Sequence, residues 1–171
     1  MNNELKISEK GIALIKEFES LHDGDLSMIG LQPKMCPAGV WTEGYGHAIT
    51  DKLGRQIKGA ANKDFAYKMS VIKEETMARL VLMKDLAKYE AIVHSKTKVK
   101  LKQNEFDALV SHTFNTGGSD TLFKLVNLVP RNNDTLKVWF ITKYITADGI
   151  VMPGLIRRRK AEADLFFNQN K

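Results

Sequence analysis

Between residue 22 and about residue 62 the chain carries glycines at 24, 30, 39, 44, 46, 54 and 59 and prolines at 33 and 37. A helix does not propagate through that density. Each glycine loses extra backbone entropy on ordering, and each proline removes a donor and clashes with the preceding turn. The segment has to be made of turns and short antiparallel strands, with VWTEGYGHAI and GRQIK as the strand candidates. On both sides of it apolar residues recur at the helical period. The pattern predicts an α+β protein: a small N-terminal β-sheet lobe and a larger helical lobe joined by a long helix, with a cleft where the lobes meet.

Ser8 is expected to cap a first helix in which Ile12, Leu14, Ile15, Phe18 and Leu21 form the apolar stripe. At 100° per residue Glu19 falls within that stripe, whereas Glu17 projects beyond its edge. Glu19 is therefore expected against apolar surface, where desolvation favours a protonated carboxyl, and Glu17 in solvent. KEETMARLVLMKDLAKYEAIV predicts a long helix with Ala78, Leu82, Leu86, Tyr89 and Val93 on one face. QNEFDALVSHTFN gathers Phe106, Leu109, Val110, Thr113 and Phe114 and stops at Gly117 and Gly118. TLFKLVNLV ends at Pro130, Asp134 is read as the cap of TLKVWFITKYI, which ends near Gly149, and PGLIRRRKAEADLFF makes the last helix. With no internal repeat, residues 1–171 read as one domain, about 1–70 forming the first helix and β lobe and about 71–171 the linking helix and helical lobe.

Composition narrows the function classes. At 43% hydrophobic and 27% charged residues the chain is globular rather than disordered. A single cysteine, Cys36, excludes an intramolecular disulfide. No run reaches the ~18 apolar residues of a membrane span, and the N-terminus lacks a signal-peptide core, so neither stable membrane insertion nor signal-dependent export is expected. The net charge of +6 points to an acidic partner: nucleic acid, anionic lipid or an anionic wall polymer. The excess sits in KTKVKLK (96–102) and IRRRK (156–160), which read equally well as solvated helix ends and loops. No aromatics interleave with them, so nucleic acid is not the expected partner. The histidines at 22, 47, 94 and 112 lack metal-ligand spacing, and neither a metal nor a cofactor is expected.

Four stretches carry a resemblance. FESL (18–21), CPAGVWTEGYGH (36–47), QNEFDALVSHTFNTG (103–117) and MPGLIRRRKAEADLF (152–166) follow one another in an order that resembles the phage-type lysozymes of glycoside hydrolase family 24, endolysins that cut peptidoglycan. The resemblance spans about residues 7 to 167 and implies a lysozyme-like fold. It also implies hydrolysis of the β-1,4 bond between N-acetylmuramic acid and N-acetylglucosamine. Glu19 takes the place of the general acid, and Cys36, separated from Thr42 by five residues, stands where many relatives carry aspartate. On this mapping Cys36 and Thr42 hold the attacking water opposite Glu19. The outcome would be inversion, with a gap of roughly 6.5–9.5 Å to admit the water. A thiol is mostly uncharged at neutral pH and a weaker acceptor than carboxylate, so Cys36 would position water rather than supply charge.

Two departures stand out. Sixteen residues separate Glu19 from Cys36 where the family pattern has eight, and Glu43 fills a slot that is commonly isoleucine. An insertion at a hairpin tip would leave the site alone, because lengthening a loop costs little. One across the cleft would change which sugars enter. Glu43 has to face solvent or find a partner, and is otherwise a rival acid to Glu19. Gly44 and Gly46 read as close-approach or bulge positions. Gly44, Tyr45 and Asn115 are expected at the glycan. His47, paired with Asp85, and the arginines Arg158 and Arg159 are expected as support, with one guanidinium beside Glu19. The implied partners are peptidoglycan glycan strands and a holin that releases the enzyme from the host cytoplasm to the periplasm, with the enzyme itself a monomer. Three rivals stay open: a wall-binding protein of the same fold without turnover, a basic membrane-disrupting or nucleic-acid-binding protein, and a chitinase-like specificity.

Overall fold

The computed structural model describes residues 5–168. The chain divides into two compact units, Glu19–Asp85 and the combination of Met1–Phe18 with Leu86–Lys171.

In the first of these, strands β1 (Lys34–Met35), β2 (Trp41–Glu43) and β3 (His47–Ala48) form an antiparallel sheet in sequence order. Lys34 pairs with Thr42, and Glu43 pairs with His47. All three residues of β2 are buried, as befits the central strand. The pleat turns Trp41 and Glu43 to one face and Thr42 to the other. Trp41 packs with Ile49, Ile57 and Ala66, and its indole Nε1–H donates to the Gly59 carbonyl at 2.9 Å. GRQIK does not become a strand. Gln56 and Lys58 make only isolated bridges, to Thr50 and Val40. Helix α2 (Lys63–Met69) follows, and α3 (Glu75–Lys96) starts in this unit and continues into the other. The first part of α3 belongs with the sheet by its contacts. A Cβ on Gly44 would lie 3.1 Å from the Ala78 Cβ, so only glycine lets the β2–β3 turn approach that helix.

The extra residues before the cysteine form a closed excursion. Gly24 N donates to the Gln32 carbonyl at 3.0 Å, and Leu31 N donates to the Lys73 carbonyl at 2.9 Å. The Gln32 amide bonds the carbonyls of Ile29 and Gly30, and Asp23 accepts from the main chain of Asp25 and Gln32. The excursion is thus a self-bonded loop pinned to the α2–α3 connection, with Leu26 and Ile29 exposed at its tip.

The second unit is helical. It comprises α1 (Glu9–Glu19) as far as Phe18, the rest of α3, α4 (Gln103–Thr116), α5 (Asp120–Val126), α6 (Asn133–Thr142), a hairpin of β4 (Thr146–Ala147) and β5 (Ile150–Val151), and α7 (Pro153–Phe167). Ser8 caps α1 as expected: Gly11 N donates to its Oγ at 3.4 Å, while Ser8 N and Oγ both donate to the buried Asp107 carboxylate. Ile12 and Ile15 are buried, Leu14 is half-buried and Glu17 exposed. Every residue of α4 from Phe106 to Val110 and on to Thr113 is buried, so this helix has no solvent face there. The expected stripe of Phe106, Leu109, Val110 and Thr113 accounts for half of that surface. Two of the polar residues on the other half are matched in place, Asp107 by Ser8 and Ser111 by Glu162. α7 packs on both α4 and α6.

Two boundaries differ from the sequence reading. The cap of α6 is Asn132, whose Oδ1 accepts from Thr135 N at 2.9 Å, and not Asp134, which lies in the first turn. The helix also stops at Thr142, where Lys143 is extended and Tyr144 takes φ 57°, and beyond it Asp148 and Gly149, both at positive φ, form a two-residue turn that pairs Ala147 with Ile150.

Candidate active site

Ser20, at φ 58°, ends α1 immediately after Glu19. The chain then turns back, and His22 N donates to the Gly44 carbonyl at 2.8 Å. This brings the helix end that carries Glu19 against the β2–β3 turn. Glu19 is half-buried, and a Cβ built on Gly46 (φ 81°) would sit 3.3 Å from its Oε2. The glycine therefore serves twice, supplying a left-handed backbone and leaving room for the carboxylate.

Thr42 lies on β2, next to that turn. It is buried, and its hydroxyl donates to the Lys34 carbonyl at 2.9 Å across the β1–β2 pair. The sequence reading missed His22, whose Nδ1 lies 2.9 Å from the Thr42 hydroxyl oxygen. Burial and Lys34 push the His22 imidazole below its usual pKa, against the Glu19 charge, so the ring is neutral at pH 7. Only its place three residues after Glu19 could have pointed to it. Cys36 is half-buried and reduced. It sits in the turn that joins β1 to β2, where its N donates to the Val40 carbonyl and its carbonyl accepts from Gly39 N, each at 2.8 Å. The excursion at residues 24–32 leaves the chain before β1, so the turn holding Cys36 and the strand holding Thr42 stay in register.

Glu43 finds a partner rather than solvent. Only 3% exposed, its Oε2 accepts from Ser70 Oγ at 2.8 Å and from the main-chain N–H groups of Val71 and Ile72 at 3.0 Å. It anchors the segment leading into α3 on the opposite face of β2 from Thr42, which removes it as a rival acid. Tyr45 is buried with its hydroxyl donating to Glu75 at 2.7 Å, so its ring packs in the fold instead of lying open to a ligand. Gly44, at φ 58°, presses its backbone against Ile72 and Ala78 and offers its carbonyl to His22. The pairing of His47 with Asp85 is present at 2.7 Å from Nδ1 to Oδ2.

In the helical unit, Arg158 and Arg159 are not a solvated basic turn. Both are buried in α7 around Glu162, which is fully buried. Glu162 Oε1 accepts from Ser111 Oγ at 2.8 Å, Arg158 Nε at 3.2 Å and Arg159 Nη2 at 3.1 Å. Burial pushes the Glu162 carboxyl up, while both guanidinium groups pull it back. The Arg158 guanidinium also lies over the Phe18 ring at 5.8 Å. Asn115 is exposed at the end of α4, and its Oδ1 accepts from Arg159 Nη2 at 2.8 Å. Among the described residues, no group of three or more acidic, histidine or cysteine side chains stands where it could hold a metal ion, and no helix is long and apolar enough to cross a membrane.

A family model described as phage lysozyme matches residues 27–162, a span that holds Cys36 and Thr42 and begins just after Glu19. An endolysin of Acyrthosiphon pisum secondary endosymbiont phage 1 is 33% identical over 168 residues, covering 95% of this chain and 98% of the relative. The endolysin of Bacillus phage PZA is 29% identical over 163 residues, and the chain spans only 55% of that relative's length. Among solved structures, an endolysin from Escherichia coli O157:H7 phage FAHEc1 superposes with a TM-score of 0.72 at 29% identity, covering 96% of this chain and 95% of that one. The muramidase domain of SpmX from Asticaccaulis excentricus gives 0.70 at 30% identity, covering 97% and 100%.

Proposed function

Because this chain belongs to the phage lysozyme family, we propose that it is an endolysin that hydrolyses the β-1,4 bond between N-acetylmuramic acid and N-acetylglucosamine in bacterial peptidoglycan. Glu19 is the general acid that protonates the leaving oxygen. Cys36 and Thr42 hold the attacking water on the other face of the sugar, and the anomeric centre inverts. The observation that carries the reading is the link through His22, whose main chain holds the β2–β3 turn that faces the Glu19 carboxylate and whose ring meets the Thr42 hydroxyl, with glycine at position 46 where any side chain would crowd the acid. Thr42 suits its role because its proton is committed to Lys34, which leaves an oxygen lone pair to accept a hydrogen from water. Cys36, on a main-chain-bonded turn, offers a compact acceptor whose thiolate fraction sets how much charge it adds.

The same reading makes the enzyme a monomer that reaches the periplasmic wall from the host cytoplasm through a holin-type membrane lesion. Lysis dependent on a co-expressed holin, and a monomer mass in solution, are the expected results. The site is tested by release of reducing ends from purified peptidoglycan by the wild type, Glu19→Gln and Cys36→Ser, with products identified by mass. Products ending in muramic acid, abolished in Glu19→Gln, support the muramidase and its acid together. Products ending in glucosamine would point to another specificity. No cleavage by the wild type, with wall binding retained, would overturn the enzyme reading.

A further inference from the structure

The roles above leave His22 unused, although its ring is bonded to one reacting side chain and its main chain bridges the turn beside the other. We propose that His22 is a positioning residue of the hydrolytic reaction, whose Nδ1–H fixes the Thr42 hydroxyl so that its one remaining lone pair faces the attacking water. The inference rests on the assignment of Glu19 and Thr42 made above.

The Thr42 hydroxyl has one proton and two lone pairs. The Lys34 carbonyl is an acceptor only, and Thr42 Oγ1 lies 2.9 Å from it, so the hydroxyl proton points there. His22 Nδ1 lies 2.9 Å from the same oxygen. With the hydroxyl proton already committed, the ring has to be the donor, which selects the tautomer protonated at Nδ1. The depressed pKa of His22 agrees with a neutral ring, whose one N–H the Thr42 oxygen shares with the Glu19 main chain. Two of the three hydrogen-bonding positions of Thr42 are then held by protein, and a water has one place left to bind. Without the ring, a second lone pair opens and the water is no longer confined to one direction.

The ring is well placed to hold this geometry. Its own main-chain N–H is tied to the Gly44 carbonyl at 2.8 Å, on the turn that also carries Gly46 against Glu19. His22 thus joins the helix end bearing the acid to the strand bearing the water acceptor, through both its backbone and its side chain. Misplacing a reacting group by about 1 Å lowers a rate by roughly 100-fold, so this alignment belongs in kcat rather than in substrate binding.

The test measures kcat and KM on soluble glycan strands for the wild type and for His22→Ala, His22→Asn, His22→Gln, Thr42→Ala, His22→Ala/Thr42→Ala and Glu19→Gln. The Asn amide N–H falls where the ring Nδ1–H was, whereas the Gln amide falls nearer Nε2. We expect His22→Ala to lower kcat by about 10- to 100-fold with KM changed less than about twofold. His22→Asn should recover most of the loss and His22→Gln little of it. The double variant should be no slower than Thr42→Ala, because the ring acts through that hydroxyl. Equal rates for Asn, Gln and Ala, or losses that multiply in the double variant, would reduce His22 to a structural residue and overturn the proposal. Should Glu19→Gln and Thr42→Ala both remain active, the assignment of the site fails instead. Loss in those two with His22→Ala fully active sinks the inference about His22 alone.

Discussion

Gly46 occupies a position where chemistry and backbone geometry meet. An alanine there needs φ near 81°, which costs an L-residue about 1–2 kcal/mol, and places its Cβ 3.3 Å from the Glu19 carboxylate. The turn or the acid has to shift. For Gly46→Ala we expect kcat on peptidoglycan to fall about 10-fold or more, with a stability loss of only about 1–2 kcal/mol by urea unfolding. Glu43 is the opposite case, a carboxylate whose work is in the fold. Glu43→Ala takes the acceptor from the Ser70 hydroxyl and from two main-chain N–H groups, of which that of Ile72 is buried. About 3 kcal/mol of stability should be lost, seen as a lower urea midpoint. Glu19 and Glu43 are 24 positions apart, and the chain alone leaves Glu43 as a rival acid because it fills a slot that is commonly isoleucine. The pleat separates Glu43 from Thr42: Glu43 shares a strand face with Trp41, while Thr42 lies on the other face and meets His22.

Helix ends account for the next level of organisation. α1 stops at Glu19 because Ser20 adopts the left-handed conformation that glycine holds at little cost. Ser20→Gly should raise stability by about 0.5–1 kcal/mol, the relieved strain exceeding the entropy that glycine adds to the unfolded chain. A fall in the urea midpoint would show that Ser20 is not strained. In α7, Glu162 carries the charge that two buried arginines require. Glu162→Gln keeps the shape and removes that charge, and about 3–5 kcal/mol should be lost on chemical unfolding. The hairpin at residues 146–151 was legible in the Asp148–Gly149 pair, a strong turn signal. The apolar run before it disguised it as a continuing helix.

Across the whole chain, stability is coupled to pH through His112, buried in α4 among Trp139, Phe140 and Tyr144. Burial, with Arg159 and Arg158 nearby, pushes its pKa down to about 3. The unfolded ring binds a proton below about pH 6.5, and the folded ring refuses one until about pH 3. The unfolded state therefore holds more protons in that window. The stabilisation is complete above pH 6.5 and is lost as pH falls towards 3, at up to ~1.4 kcal/mol per pH unit. His112→Phe should flatten this part of the profile in urea unfolding measured from pH 4 to 7. An unchanged slope would mean that another group dominates. The basic residues of the last helix are divided in the same way: Arg158 and Arg159 are buried around the Glu162 carboxylate inside the helical unit, while Arg157 and Lys160 are exposed.

Much of this protein could be read along the chain, because the properties in question are local. Glycine and proline density forbade helix from residue 22 to 62, the 3.6-residue period marked α1, α3 and α4, and Ser8 announced the first cap. The spacing of Glu19, Cys36 and Thr42 was likewise visible, since a motif is a pattern in sequence. What could not be read were the partners across long separations. Glu43 meeting residues 70–72, Glu162 meeting Ser111, and His22 meeting Thr42 each join groups 20 or more positions apart. A hydrogen bond depends on distance and direction to a few tenths of an ångström, and the sequence carries neither until packing has brought the elements together.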